Sequence, residues 1–342
     1  MIGFMALQNT IRNYPWGSTT ALAKLQGRIE ATEPEAELWI GAHPDSPSEV
    51  IIEGRSVPLN QLINERPREM LGPIIQRYGV NLPFLLKILA VQEPLSIQVH
   101  PNLEQAQAGY YREDSTGIGL QSFNRCYHDR NHKREVIVAI DSFSLLSGFL
   151  PFDVIKKRLD RINMPVLAAK IDLLNSKPEP TVLRSVLAAI LRLSRSEIDD
   201  LIKCVDTHFN STSSFDYWTR KLANYYPYDA GVISPQIMNL VTLAPEEGVY
   251  TEAGTPHSAL YGTAVELQSA SDNVVRGGLT DKHIDTQEFL RISNFNPLKV
   301  SVLKPRLSSN GERHYKTAAN EFSLSSIALN ILEQGQKFKI IT

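Results

Sequence analysis

The feature that most limits what this chain can fold into is a change of hydrophobic period along it. Between about residues 152 and 240, Leu, Ile, Val and Ala recur at helical spacing in segments 153–162, 166–174, 181–193, 196–208 and 215–225. Apolar residues three and four apart share a helix face, whereas alternate residues share a strand face. Thr181 is placed to cap the third segment, and Ser194-x-x-Glu197 has the form of a capping box for the fourth. On either side the chain instead shows short alternating stretches broken by Gly, Pro and Asn, which read as strands and turns. Strand-rich, helical, strand-rich is the order of a mainly β protein, a barrel or jelly roll interrupted by an α-helical insert. The expected divisions are 1–151 and 241–297 for two parts of one β domain, 152–240 for the insert, and 298–342 for a second β domain. Strands are expected to resume after Pro245. The last domain is expected to be shortened, because the chain stops at Phe338-Lys339-Ile340-Ile341-Thr342 in mid-alternation.

Within the first β region, Glu93-Pro94-Leu95-Ser96-Ile97-Gln98-Val99-His100-Pro101 alternates strictly. Leu95, Ile97 and Val99 fall on one face, and Ser96, Gln98 and His100 on the other. Gln98 and His100 can therefore reach one small object together. The plain alternative is a half-buried strand wetted on its polar side, and a lone histidine would favour it. Two more stretches offer donors: Glu135, at the end of a dense polar loop, sits at the mouth of the strand 136–140, and His257 follows the turn Gly254-Thr255-Pro256. Gln98, His100, Glu135 and His257 form a candidate ligand set, of a kind that suits Zn²⁺ at ~2.0–2.2 Å with a position left for water or substrate. Lys87 lies inside the apolar run 83–91, where a lysine must snorkel, pair, or sit in a polar cavity with a lowered pKa. One strand away from Gln98 and His100, it is a candidate acid or base. Glu266 and Gln268 share a strand face. Trp16 is either a pocket wall or a buried anchor, and His43 is a loop residue with no assigned chemistry. Cys204 and His208 lie four apart on a helix, but two ligands without companions make a weak metal signal.

Hydrophobic residues make up 42% and charged residues 21% of the 342 positions, which excludes disordered and fibrous classes. A net charge of −2 gives no reason to expect nucleic acid or an anionic membrane as partner. Cys126 and Cys204 lack CxxC spacing, which argues against a disulfide framework and fits a reducing compartment. Without a basic, apolar leader or a membrane-length apolar run, the expectation is a soluble cytoplasmic monomer.

Several motifs go further than spacing. Leu95-Ser96-Ile97-Gln98-Val99-His100-Pro101, Asn131-His132-Lys133-x-Glu135, Gly254-Thr255-Pro256-His257 and Ser271-Asp272-Asn273-Val274-Val275-Arg276-x-Gly278-Leu279-Thr280-x-Lys282 closely resemble the type I phosphomannose isomerases. The stretches 8–17 and 37–44 resemble that family's opening motifs, so the resemblance runs over nearly the whole chain in order. It implies a cupin-type jelly-roll core, a helical insert and a second β domain. It implies zinc on Gln98, His100, Glu135 and His257, a catalytic arginine at Arg276, and interconversion of mannose 6-phosphate and fructose 6-phosphate. That reaction also needs a base: Lys87 and Lys133 are candidates if desolvation and zinc depress their pKa values, with Glu266 as a partner that orients a metal ligand or as a base. Asp272 with His100 is a candidate for ring opening. Trp16 and Ser96 are candidate substrate contacts, and Lys282, placed outside the barrel mouth, is a candidate phosphate contact. The chain departs from the family at Arg134 and Asp281, both commonly Pro, and at Ala259, where a pocket tyrosine is expected. Two rival readings remain open: a non-catalytic metal-containing sugar-phosphate binder, and a 2-His-1-carboxylate iron oxygenase, which the extra ligand Gln98 disfavours.

Overall fold

The computed structural model describes residues 5–162, 164–209 and 212–328. Its centre is a ten-stranded sheet built on the strand His257–Ser269. That strand pairs antiparallel with Phe84–Val91 and Glu135–Ala139 over its second half, and with Phe143–Phe149 and Ile97–Val99 near its start. The switch of partners needs a bend. The register shifts between Ala259 and Tyr261, and Gly262 follows at φ 114°, where an added Cβ would meet the Ser142 carbonyl at 2.4 Å. One strand shared by both ends of the sheet folds the sheet over itself, in agreement with a cupin-type core.

The helical block is where the change of period places it. Helices span Phe152–Leu159, Pro165–Ser176, Pro180–Ile190, Arg195–His208 and Ser214–Tyr225. The Ser194/Glu197 capping box forms in both directions. Thr181 is not a cap: Pro180, with φ preset for a first turn, starts that helix, and Glu179 takes the N-cap position. Strands resume at Met238–Leu243, before Pro245, because Met-Asn-Leu-Val-Thr-Leu alternates and pairs with Phe143–Phe149. The helices share a core with the barrel. Leu159, Leu183 and Leu222 are in one cluster with Ile97, Val99 and Phe149, each fully buried leucine contributing roughly 1.5–3 kcal/mol.

Beyond the barrel, Arg306–Leu307, Glu312–Tyr315 and Leu324–Ile327 form a three-stranded sheet. Tyr315 and Phe322 pack on Val136, Val138 and Leu267 of the barrel. The expectation for residues 338–342 lies outside the described residues.

Candidate metal centre and its cavity

Strand register assembles the site. Gln98 stands opposite His257 on one neighbouring strand and opposite Arg276 on the other. Residues directly opposed in antiparallel strands share a face, so His257, Gln98 and Arg276 form one rung across three strands. A second rung runs Trp39, Lys87, Glu266, Ile137, and Glu135 stands opposite Gln268 on the same face. The shared face of Glu266 and Gln268 is therefore as the alternation implied.

At the closed end of this surface lie His100, Glu135 and His257, all buried and with ligand atoms within 4.8 Å of one another. Each imidazole uses its Nδ1 toward a backbone carbonyl: His100 toward Asn273 at 2.8 Å and His257 toward Thr255 at 2.9 Å. With Nδ1 as the N–H, each Nε2 carries its lone pair toward the carboxylate. Glu135 Oε1 is 3.3 Å from His100 Nε2, and Oε2 is 3.2 Å from His257 Nε2. His257 Nε2 is buried and makes no hydrogen bond of proper geometry. A buried nitrogen left so would be costly without a further partner, and a cation supplies one. The protonation states agree. Burial, with the nearby Lys133 ammonium, pushes His100 down to about 4, so it is neutral. Burial opposes ionisation of Glu135, but the Lys133 ammonium outweighs it and holds the carboxyl well below its usual range. Two imidazole Nε2 atoms, one ionised carboxylate and the amide of Gln98 fit zinc.

The cluster opens through Gln98 and Glu135 into a cavity of about 290 Å³. Trp16, Ser96, Lys87, Lys133, Glu266, Asp272, Arg276 and Lys282 all line it. Arg276 and Lys282 have no carboxylate partner among the described residues. Burial lowers both pKa values, and Arg276 lowers Lys282 further, so the two cations repel each other across the cavity. Lys282 thus lies in the cavity wall rather than outside the mouth, its Nζ 5.5 Å from the Tyr14 ring centre. A larger cavity of about 540 Å³ lies behind Asp272 and Gln268 but lacks the buried imidazole–carboxylate cluster.

Some expectations change in detail. Lys87 does not have a lowered pKa. Burial does disfavour its ammonium, but Glu37, Glu266 and Glu135 outweigh that and raise it. Its Nζ lies 3.3 Å from Glu266 Oε2 and 5.0 Å from the Trp39 ring centre. Glu266 is the group shifted in the useful direction, raised by burial. Lys133 Nζ is 2.9 Å from Glu135 and 3.5 Å from His100 Nε2. Asp272 does not pair with His100; its Oδ2 is 2.8 Å from His43 Nε2, and His43 packs edge-on against Trp39. Ala259 is buried in an apolar cluster with Trp16 packed against it, and it does not line the cavity. Arg134 reaches Glu252 and Glu321, joining the barrel to the segment before the last strand.

Other wall residues gave little sequence signal. Glu37 sits two residues before Trp39 and accepts its indole N–H at 2.6 Å, a spacing that alternation could have flagged. Tyr226, from the end of the helical block, donates to the Pro94 carbonyl at 2.6 Å and closes one side. Leu279, buried at φ 56°, is held by its N–H to Asp229 Oδ2 at 2.5 Å. A leucine there is strained by roughly 1–3 kcal/mol, which the half-buried Asp229 anchor offsets.

Fold and site together define a β-barrel protein with a buried imidazole–carboxylate metal centre, facing a cavity with unpaired basic groups. Comparison with known proteins agrees. Residues 4–152 match the family model described as phosphomannose isomerase type I, catalytic domain. The chain is 35% identical to mannose-6-phosphate isomerase of Salmonella typhimurium, over 96% of this chain and 85% of that protein. It is 30% identical to mannose-6-phosphate isomerase 1 of Arabidopsis thaliana, covering 87% and 72% of the two chains. A zinc-bound crystal structure of a mannose 6-phosphate isomerase superposes with a TM-score of 0.87 at 34% identity, over 94% of this chain and 82% of that one. This chain belongs to the type I phosphomannose isomerase family. No described helix is long and apolar enough to cross a membrane.

Proposed function

We propose that this chain is a zinc-dependent aldose–ketose isomerase that interconverts mannose 6-phosphate and fructose 6-phosphate. The observation that carries this reading is the buried His100–Glu135–His257 cluster at the end of a cavity walled by unpaired Arg276 and Lys282. Zinc held by Gln98, His100, Glu135 and His257 would supply Lewis acidity toward the oxygens on C1 and C2. Gln98 is neutral, so a single carboxylate leaves the centre net positive beside a developing enediolate.

The chain's own groups account for the rest. Opening the sugar ring takes the proton from the anomeric hydroxyl and puts one on the ring oxygen; Asp272, held ionised beside His43, is in the wall to accept the hydroxyl proton, while solvent supplies the other. The proton removed from C2 of the open aldose is returned at C1 through a cis-enediol. Glu266, its carboxyl raised by burial, and Lys133, beside Glu135, are the groups placed to carry it. Lys87 keeps its charge and holds Glu266 in place. Arg276, always protonated, can meet either the enediolate or the phosphate with a planar fork, and Lys282 adds a second phosphate contact. Trp16 and Ser96 shape the wall. The expected working form is a cytoplasmic monomer acting on a small sugar phosphate, without nucleic acid or membrane partners.

The test supplies mannose 6-phosphate to the purified chain, before and after exhaustive chelation, and measures fructose 6-phosphate. Turnover lost on chelation and restored by zinc is the expected result. Turnover indifferent to complete metal removal would sink the metal role, and calorimetric binding without any turnover would leave a sugar-phosphate binder in its place.

A further inference from the structure

A second group of metal-ligating side chains lies apart from the centre described above. Cys126, on the loop before Glu135, meets His283 and Asp285, on the loop between the strand Val275–Gly278 and the helix Thr286–Ile292. Their ligand atoms all lie within 4.8 Å of one another. A tetrahedral ion with bonds of ~2.0–2.3 Å needs donors ~3.3–3.8 Å apart. The three must close by about an ångström, and two of them sit two residues apart on one irregular loop. Among the described residues, neither the Cys126 thiol nor the His283 ring has a hydrogen-bond partner, and His283 has only an edge contact with Phe123 at 6.1 Å. Asp285 accepts from the Glu288 N–H with Oδ1 at 2.8 Å, which leaves Oδ2. Cys126 is buried, whereas His283 and Asp285 are half-buried, so a fourth position faces solvent. The other cysteine provides the contrast. Cys204 Sγ donates to the Ile162 carbonyl at 2.9 Å and lies 3.4 Å from His208, and among the described residues the pair has no third ligand.

We propose that Cys126, His283 and Asp285 form a second site for a thiophilic divalent cation, zinc or a chemically similar ion, with water as fourth ligand. Sulfur, nitrogen and oxygen donors in this combination select a borderline-soft ion over magnesium or calcium. Such an ion would tether the loop 279–285, and with it Lys282 in the cavity wall, to the segment that leads into Glu135.

The experiment titrates the full chain carrying a single equivalent of zinc, checked by elemental analysis, with Co²⁺ and follows absorption. The first centre contains no sulfur, so cobalt exchanging into it gives no thiolate-to-metal charge transfer. The expected result is a charge-transfer band that saturates near one added equivalent, is lost in Cys126→Ser and in His283→Ala, and persists in Cys204→Ser. The proposal is overturned by a titration without such a band, by a band that survives either of the first two substitutions, or by one that disappears in the third. His283 is half-buried on a loop, so its substitution keeps the test meaningful if the core variant Cys126→Ser fails to fold.

Discussion

Lys87→Met separates the structural and chemical roles of the most heavily charged part of the barrel. The wild-type ammonium is buried and lies 3.3 Å from Glu266, with Glu37 and Glu135 acting on it as well. Removing one member of a buried ion pair leaves its partner's charge uncompensated, at a cost of about 3–5 kcal/mol. With an unfolding entropy of ~2.1 cal/mol/K per residue over 342 residues, about 0.7 kcal/mol/K, the melting temperature should fall by roughly 4–7 °C. The pH dependence follows from Glu266. Its carboxyl is already raised in the folded chain, and without Lys87 it rises further. A raised acid contributes stability in full below its unfolded pKa and loses it as pH rises from there through the folded pKa. The drop should therefore be larger at pH 8 than at pH 5.5. Lys87→Met/Glu266→Gln removes the stranded charge and should recover most of the lost stability, but not isomerase turnover, which should stay down about 10²–10⁴-fold if Glu266 carries a proton. Scanning calorimetry at both pH values and a coupled assay read these outcomes. An unchanged melting temperature at pH 8 would refute the electrostatic reasoning. A double variant that regains wild-type turnover would refute the role given to Glu266.

Arg276→Ala should cost about 1.5–3 kcal/mol in kcat/KM, a loss of roughly 10- to 150-fold, with zinc content by elemental analysis unchanged; Arg276→Lys should rescue little, because the planar fork is lost. His100, neutral with a folded value of about 4 against an unfolded 6.5, stabilises the chain above pH 6.5 and loses that contribution as pH falls toward 4. Urea denaturation should therefore show stability falling by about 1.4 kcal/mol per pH unit in this window, and His100→Gln should flatten the slope. His43→Ala frees the Asp272 carboxylate and should lower kcat for the ring-closed sugar more than for substrate already open, as stopped-flow anomer mixing would measure. Asp229→Ala should release the N–H of Leu279, destabilise the chain by about 1–3 kcal/mol and raise KM through the displaced wall, checked by calorimetry and steady-state kinetics.

Local pattern carried much of the architecture into the sequence. The helical period marked the insert because tertiary packing buries one face of each helix, and Ser194/Glu197 marked a true cap because both groups are local. Thr181 failed as a cap because Pro180 decides where that helix begins, and Met238–Leu243 was missed because six residues of alternation abut a helical turn. For the site, strand alternation put Gln98 with His100 and Glu266 with Gln268. What it could not carry was charge balance, which depends on strands far apart in the chain. Lys87 looks like a lysine in an apolar run until Glu37, Glu135 and Glu266 converge on it, and then its proton is held more tightly. His43 looked inert because its partner, Asp272, lies 229 positions away.

The His257–Gln98–Arg276 rung has a consequence for how damage to this molecule would show itself. Because side chains alternate with period two, a slip of one residue in the short strand Ile97–Val99 would turn Gln98 out of the barrel and bring Ile97 or Val99 between His257 and Arg276. The metal cluster and the basic cavity wall at Arg276 would then be disrupted together, even with every ligand residue intact in the sequence. Substitutions that disturb this strand, however distant from the chemistry, should behave as all-or-none switches of both properties, so the coupled loss of zinc and substrate affinity becomes an assay for strand register.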